Sequence, residues 1–460
     1  MKIRTIVGGL AGAGLALAAG QFSALAVPGD GGSGGSNLEA GPDVIVGAIP
    51  DLSVYGSAVV NGKTIMAYSF GTTSCNIGTQ QLAWVQNNNQ HPVIPQNLYR
   101  IKNGVLEQVG MSWLKHGFCA LQQTLCGTCT PAGSGCVAAL GIGCSDPYTS
   151  SLNGTQSNLG PRSQVNASTG VFTYPFTAPA AAPTIGRRLQ VDGNDLNPAL
   201  NSGATYFAEC MYVHPQDAAA GNNANNASYR KVTVGALSGG AYQLSLTGAT
   251  VQQKCAIYAW QSVVPTVKVS EVFTSDGRLI VGYTATDNGN GTWHYEYAIF
   301  NLSSDASIGS VSIPIPAGVT VTNQGFHDVD SHSGEPYSTT DWAMSVSGGN
   351  ATWSTESFAT NPNANALRWG TTYNFRFDAD APPTFRQMTV GAFKVANNIG
   401  FNVYAPATPT RPGDLNADGI VDGADLGILL FGWGGNTQSD INGDGTTNGI
   451  DLGILLGNWG

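Results

Sequence analysis

Thr292–Leu302 reads TWHYEYAIFNL, and its alternation decides the fold class. Trp293, Tyr295, Tyr297 and Ile299 fall on one side of an extended chain, with His294, Glu296 and Ala298 on the other. Successive strand side chains point to opposite faces, so period two with polar residues between apolar ones predicts a half-buried antiparallel strand. The pattern recurs in SVSIPIPAGVTV, where Val311, Ile313 and Ile315 share a face, and in TTYNFRFDAD, where Tyr373, Phe375 and Phe377 do. Asp287–Gly291 (DNGNG) is a hairpin turn signal, since Asn, Asp and Gly tolerate positive φ. Residues 266–404 are therefore expected to form a β-sandwich.

Working outward, strand-like runs return upstream in DVIVGAI, TIMAYSF and YRKVTVGAL. Between Cys119 and Pro183 the chain is rich in Gly, Ser, Thr, Asn and Pro, which predicts loops. Residues 43–265 are read as a β-rich domain. All eight cysteines lie there: Cys75, Cys119, Cys126, Cys129, Cys136, Cys144, Cys210 and Cys255. An even number in an exported chain predicts disulfides, although eight cysteines allow 105 pairings. Cys126 and Cys129, with His116 near, also have the spacing of a redox pair or half a zinc site, a reading that export weakens. Downstream, APATPTRPG (405–413) has the recurring Pro of an extended linker.

Export is expected from the first residues. Lys2 and Arg4 precede an apolar run, and Ala24-Leu25-Ala26 has the small-x-small form of a signal-peptide cleavage site, placing the cut after Ala26. A Gly/Ser/Pro-rich stretch over 27–42 follows as a flexible spacer. No other run is long and apolar enough to suggest a membrane-spanning helix. Only 10% of the chain is charged and its formal charge is −10. With no basic face to neutralise phosphates, nucleic acid is excluded as a partner. The expected location is secreted, extracellular or attached to the cell surface.

The acidity is concentrated at one end. From Asp414 onward there are seven Asp and no Lys or Arg. DLNADGIVDGADLGILLFGWG, from Asp414, is followed at an offset of 26 residues by DINGDGTTNGIDLGILLGNWG, from Asp440, and 13 of 21 aligned positions are identical. Asp414, Asn416, Asp418, the Ile420 carbonyl, Asp422 and Asp425 occupy positions 1, 3, 5, 7, 9 and 12 of a calcium loop. In the second copy Asp440, Asn442, Asp444, the Thr446 carbonyl, Asn448 and Asp451 do so, with Gly419 and Gly445 at the sharp sixth position. Two calcium ions are predicted. Each loop runs into DLGILL, an apolar stretch fit for one helix, and two such copies can bury these faces against each other only if calcium removes the carboxylate repulsion.

This pair of loop–helix repeats resembles a type I dockerin over residues 413–460. The resemblance implies a small α-helical domain over 414–460. It also implies docking to a cohesin or a cell-surface receptor, and attached domains that act on polysaccharide. The match departs at loop positions 10 and 11, which are Gly423-Ala424 and Gly449-Ile450, and the helices carry no basic residue. Trp433 and Trp459, at equivalent positions, are read first as closing the small core and second as partner anchors.

The tightest upstream constellation is FHDVDSHSGEPYSTTDW, with His327, Asp328, Asp330, His332, Glu335 and Asp341. His327 and His332 are candidates for a second metal, and Asp330 and Glu335 for an acid/base pair. The alternative is a polar loop whose side chains satisfy turn backbone. In 43–265, Trp113, Lys115, His116, Asp146, Tyr148, Asn153, Arg162, Glu209 and His214 offer the aromatics, amides and carboxylates of a sugar site, with Glu209 a third catalytic candidate. Trp342, Trp353 and Trp369 are expected to be core for at least two of the three. The function expected is tethered binding or processing of extracellular polysaccharide. A hydrolase of O-glycosyl bonds within 43–265 and a structural surface protein with calcium-dependent assembly are the alternatives.

Overall fold

The computed structural model describes residues 40–460, apart from Ser331, Ser333, Pro409, Thr410, Ala417, Asn436 and Thr437. The expected signal peptide, its cleavage after Ala26 and most of the 27–42 spacer lie outside the described residues. The chain is mainly β, as its alternation predicts.

Eight strands form the largest sheet: β1 (Leu52–Val60), β2 (Lys63–Phe70), β3 (Gln96–Lys102), β4 (Val105–Met111), β5 (Leu189–Asp192), β6 (Thr205–Met211), β7 (Ala227–Ser238) and β8 (Ala241–Val251). They lie antiparallel in the order β8-β7-β6-β3-β4-β5-β2-β1. TYFAECM in β6 shows how one strand serves two cores. Tyr206, Ala208 and Cys210 face a cluster with Tyr68, Leu98 and Trp84, whereas Phe207 and Met211 face another with Tyr99, Tyr229 and Trp260.

Two five-stranded sheets follow. One is built from β9 (Lys268–Thr274), β10 (Gly277–Asp287), β11 (Trp293–Asn301), β13 (Val321–His327) and β16 (Thr371–Ala379), in the order β9-β10-β11-β16-β13. The other has β12 (Ile308–Pro314), β14 (Ala343–Ser347), β15 (Asn350–Ser354), β17 (Pro383–Ala392) and β18 (Asn398–Pro406), in the order β14-β15-β12-β17-β18. Tyr295, Tyr297, Phe375 and Phe377 from the first meet Val311, Ile313, Trp353 and Val390 from the second in one core, a sandwich. The predicted turn joins β10 to β11, with Gly289 and Gly291 at φ +71° and +87°.

The strand that opened the sequence argument is more deeply buried than predicted. From Tyr295 to Asn301 every residue of β11 is buried, because its second face is covered as well. Ala298 and Phe300 pack with the lower face of the eight-stranded sheet and with helix α1 (Ile257–Val263). Trp260 of α1 is fully buried, donates from Nε1 to the Gly104 carbonyl at 2.7 Å, and lies against Gly282 of β10. A Cβ at position 282 would meet its ring at 2.8 Å, so only glycine lets the indole approach the strand. Polar groups also cross this layer: Asn374 Nδ2 donates to the Leu106 carbonyl at 2.6 Å and Thr372 N to Gln108 Oε1 at 2.7 Å.

Three disulfides staple the loop-rich segment, Cys75–Cys126, Cys119–Cys136 and Cys129–Cys144. Cys210 and Cys255 correct the expectation of complete pairing: both are buried free thiols. Strand alternation is the reason. Cys210 belongs to the core above the eight-stranded sheet and Cys255 to the core below it. The Cys126–Cys129 redox or zinc reading falls too, since each sulfur is bonded to a different partner.

The expected linker begins later than Ala405. Ala405 and Pro406 are the last rungs of β18, opposite Thr384 and Pro383, and Ala405 is fully buried. Pro is tolerated there because β18 is an edge strand. Beyond it stand two helices, α2 (Gly423–Phe431) and α3 (Gly449–Gly457), which share a small core of Val421, Leu429 and Leu455. Gly460 N donates to the Val421 carbonyl at 2.9 Å, tying the second copy back to the first loop. Among the described residues no helix is long and apolar enough to cross a membrane.

Candidate functional site

The two terminal loops repeat one hydrogen-bond frame. In the first, Asp414 accepts from the N–H groups of Asp418 and Gly419 at 3.1 and 2.9 Å, and Asn416 Oδ1 from Asp418 N at 3.0 Å. Asp418 Oδ1 accepts from Ile420 N at 2.9 Å. Asp425 closes the loop by accepting from Leu415, Asn416 and Asp422 at 2.7, 3.1 and 2.9 Å. In the second, Asp440 accepts from Asp444 and Gly445 at 3.1 and 2.7 Å, and Asn442 Oδ1 from Asp444 N at 3.0 Å. Asp444 Oδ1 takes Thr446 N at 2.9 Å, and Asp451 takes Ile441, Asn442 and Asn448 at 2.7, 3.1 and 2.8 Å. Gly419 and Gly445, at φ +90° and +94°, make the sharp turn at the sixth position.

Asp425 Oδ1 and Asp451 Oδ1 each accept two N–H groups, whereas the oxygens of Asp414, Asp440, Asn416 and Asn442 in this frame accept one each and keep a second lone pair. The donor set is all oxygen, which suits a hard divalent cation. Among the described residues no three His, Cys, Asp or Glu side chains gather closely enough to hold an ion by themselves. An ion in either loop therefore needs the amide and main-chain oxygens of Asn416 and Ile420, or of Asn442 and Thr446, as well as the carboxylates. Asp425 and Asp451 also complete capping boxes with Asp422 and Asn448, so the group that closes each loop also starts each helix. Burial pushes the Asp425 carboxyl up, but N–H donors from Asp422, Asn416 and Leu415 outweigh it and hold it below the usual range. The N–H donors from Asn448, Asn442 and Ile441 likewise lower Asp451.

The helices turn apolar residues outward. Phe431 is 96% exposed, Leu430 and Leu456 about half, and Trp433 and Trp459 are 48% and 49% exposed. The expectation that both Trp close the core is corrected, because Val421, Leu429 and Leu455 already fill it.

Upstream, the residues nominated for a sugar site are interior. Trp113, Lys115, His116, Asp146, Tyr148, Asn153, Arg162, Glu209 and His214 are all buried. Arg162 shows why: its guanidinium donates to the carbonyls of Ser112, Gly370 and Gln96 and to Asn97 Oδ1, at 2.7–2.9 Å, and so fastens the eight-stranded sheet to the sandwich. Trp342, Trp353 and Trp369 are buried as well.

Each of the three catalytic candidates is engaged by its own partners. Glu209 accepts from Asn97, Tyr99 and the Ala256 N–H inside the core. Glu335 takes the N–H groups of Arg162 and Ser163 at 2.6 and 3.2 Å. Asp330 is exposed and pairs with Lys63 at 3.0 Å. Burial pushes Glu209 and Glu335 up, against their N–H donors.

Asp330 does stand at a cleft of about 350 Å3, together with His327, Asp328, His332 and Asp341 from the predicted constellation. Of that segment only Phe326 and His327 lie in a strand, and its described residues beyond them form none. His332 Nε2 is bonded to the Arg188 carbonyl, and neither histidine belongs to a three-donor metal group among the described residues. The opposite wall comes from Lys63, Gln108, Gln190, Asp192 and Asp195. Those residues carried no signal in the sequence, because they lie more than a hundred positions away and reach the cleft through sheet pairing. Burial pushes Asp328 up to about 7, opposed by a hydrogen bond from Asn365 and reinforced by Asp341 and Asp330.

No family model and no curated protein matches the chain. Solved structures give distant likenesses. A serine-rich repeat adhesion glycoprotein from Streptococcus agalactiae is 9% identical, with 80% of this chain and 98% of that one covered, at a TM-score of 0.18. An exo-β-D-glucosaminidase is 10% identical over 77% of this chain and 26% of its own, at 0.15. The B domain of a biofilm-associated protein is 10% identical over 91% and 96%, at 0.14.

Proposed function

We propose that this is an extracellular modular protein whose last 47 residues form a calcium-dependent docking module of the dockerin type. Its β-rich body is read as binding extracellular polysaccharide. The observation that carries the docking reading is the duplicated loop frame: two segments 26 residues apart place the same side-chain oxygens on the same N–H groups. Three disulfides support an oxidising, extracellular setting.

The helix faces bear on the partner. With Leu430, Phe431 and Trp433 exposed and no basic residue in either helix, recognition by this module is read as apolar, and a cohesin-like or cell-surface receptor that accepts it must offer an apolar counterface. The body is read as binding rather than cleaving because Asp330, Glu335 and Glu209 serve separate structural tasks. Calorimetric titration of the full chain with calcium tests the module. Two ions should bind, and Asp414→Ala with Asp440→Ala should abolish both; heat unchanged by that pair of substitutions would overturn the assignment.

A further inference from the structure

The two sheets of the sandwich treat their outer faces differently. The sheet β9-β10-β11-β16-β13 turns Ala298 and Phe300 toward the eight-stranded sheet, whereas β14-β15-β12-β17-β18 keeps its outer face toward solvent. Met388 and Val390 of β17, with Phe401 and Val403 of β18, lie in the core and so fix which positions point away from it. Alternation then places Phe385, Gln387 and Thr389 outward, directly opposite Tyr404, Asn402 and Gly400.

This corner is built for more than folding. Phe385 is 61% exposed, yet its ring centroid lies 4.8 Å from that of Tyr404, so an open aromatic plane is held in place by a second ring. An aromatic left that open stabilises the fold little, since the gain scales with the apolar area removed from water. Gln387 and Asn402 are exposed, and their amides make no hydrogen bond among the described residues. A Cβ at position 400 would meet Gln387 Nε2 at 2.5 Å, so only glycine lets that amide lie along the strands. No outward strand position of this sheet carries a charge. The outer face of the other sheet, by contrast, holds His294, Glu296, Arg376 and Asp378.

That surface selects its ligand by charge. A polyanion needs basic groups to meet it and a cation needs carboxylates, and the outward positions offer neither. A protein partner would bury an apolar centre, but here the apolar surface ends at two rings and gives way to hydroxyls and amides. A neutral sugar fits. The C–H face of a pyranose is apolar and stacks on an aromatic plane, while its rim hydroxyls both donate and accept, as the Gln and Asn amides do. At about 3.4 Å per residue, Phe385 to Thr389 spans about 14 Å, room for more than one sugar ring. We propose that the outer corner of β17 and β18 binds a neutral polysaccharide chain laid along the strands. Phe385, positioned by Tyr404, is the stacking plane, and Gln387, Asn402 and Thr389 take the hydroxyls. The inference rests on the reading of the body as polysaccharide-binding, to which it adds the place and the ligand class, and it stands apart from the docking module.

Affinity electrophoresis of the full chain in calcium, with hydroxyethyl cellulose, galactomannan or polygalacturonate in the gel, tests it. At least one of the two neutral polymers should retard the chain, and polygalacturonate should not. Phe385→Ala should weaken the retarding interaction about tenfold, the scale of a lost aromatic contact, and Phe385→Trp should keep it. Gln387→Ala should weaken it about fivefold, as expected for a lost neutral hydrogen bond. Both side chains are exposed, so the variants should melt with the parent chain. Retardation by a neutral polymer that is indifferent to Phe385→Ala and Gln387→Ala, or retardation by polygalacturonate alone, would overturn this site and leave the polysaccharide reading standing. No retardation by any of the three would overturn both. If Phe385→Ala changes the sedimentation of the full chain and leaves retardation as it was, the face belongs to a second copy and the proposal falls.

Discussion

Two regions of this molecule treat the same side chain in opposite ways. In the β-rich body, burial pushes Asp146 up to about 7 and Asp217 to about 8. In the terminal loops Asp425 and Asp451 sit below the ordinary range. Both settings offer N–H donors: Asp217 accepts from Val44 N at 3.0 Å and Asn226 Nδ2 at 2.7 Å, and Asp425 from three N–H groups. The difference is solvation. Asp217 has donors on each oxygen but is sealed inside the body, next to Asp43, so desolvation wins. Asp425 and Asp451 are equally closed to solvent, but the small terminal unit packs less protein around them, so desolvation is weaker there and the N–H donors win. A carboxylate's role thus follows from how much protein surrounds it.

The largest effect that can break this contrast is removal of calcium. With free calcium at a thousand times the dissociation constant, the terminal unit should gain about 4 kcal/mol, and a chelator should abolish it. Circular dichroism of the full chain should lose the signal of α2 and α3 on chelation, with the body's melting transition in place. A transition of the body that moves with the helices would join the two regions into one cooperative unit.

Next in size is a cavity in the body. Trp260→Ala should cost about 3–5 kcal/mol, read from the denaturant midpoint. Calcium stoichiometry should stay the same. A small loss would mean that the layer between the eight-stranded sheet and the sandwich is loosely packed.

The pH response is smaller and carries the opposite sign in the two regions. Asp146 and Asp217 are raised in the fold, so their contribution is complete below the unfolded value and is lost as pH rises through about 7 to 8. The body's melting temperature should therefore rise on going from about pH 8 to about pH 5. Asp425 and Asp451 are lowered, so their contribution is present above the unfolded value and is lost only as pH falls through the folded one. The calcium-bound terminal unit should therefore keep this contribution over that interval. A body that loses stability on acidification would show that other groups dominate its titration.

The smallest effect sharpens the boundary between core and surface. Trp433→Ala and Trp459→Ala should each change the stability of the calcium-bound unit by no more than about 0.5 kcal/mol, since half of each ring is already in water. A loss of several times that would restore both indoles to the core.

Particular residues show what was legible in advance. Tyr295, Tyr297, Phe375 and Phe377 announce their strands because period two is a local property, and all four are core. The loop from Asp414 to Asp425 is equally local, with every oxygen within twelve positions. Cys210 and Glu209 were misread for the same reason in reverse. A cysteine in an exported chain suggests a bridge and a glutamate suggests chemistry, but strand alternation placed one in each core, where the thiol packs and the carboxylate is bonded on all sides. The cleft was half visible: His327, Asp328, Asp330 and Asp341 cluster in sequence, whereas Lys63 and Asp192 do not.

By itself the sequence determined that strands dominate, that the terminal acidic repeat forms two matched loops, and that each loop leads into a helix. These follow from side-chain period and ligand spacing, which act over a dozen residues. Only the tertiary structure decided that β11 is covered on both faces, which six cysteines pair, and that Asp192 and Asp328 share one cleft. The covering of β11 and the shared cleft depend on contacts between segments more than a hundred residues apart, set by how three sheets stack, and the disulfides join positions 15 to 51 residues apart; no local pattern encodes either.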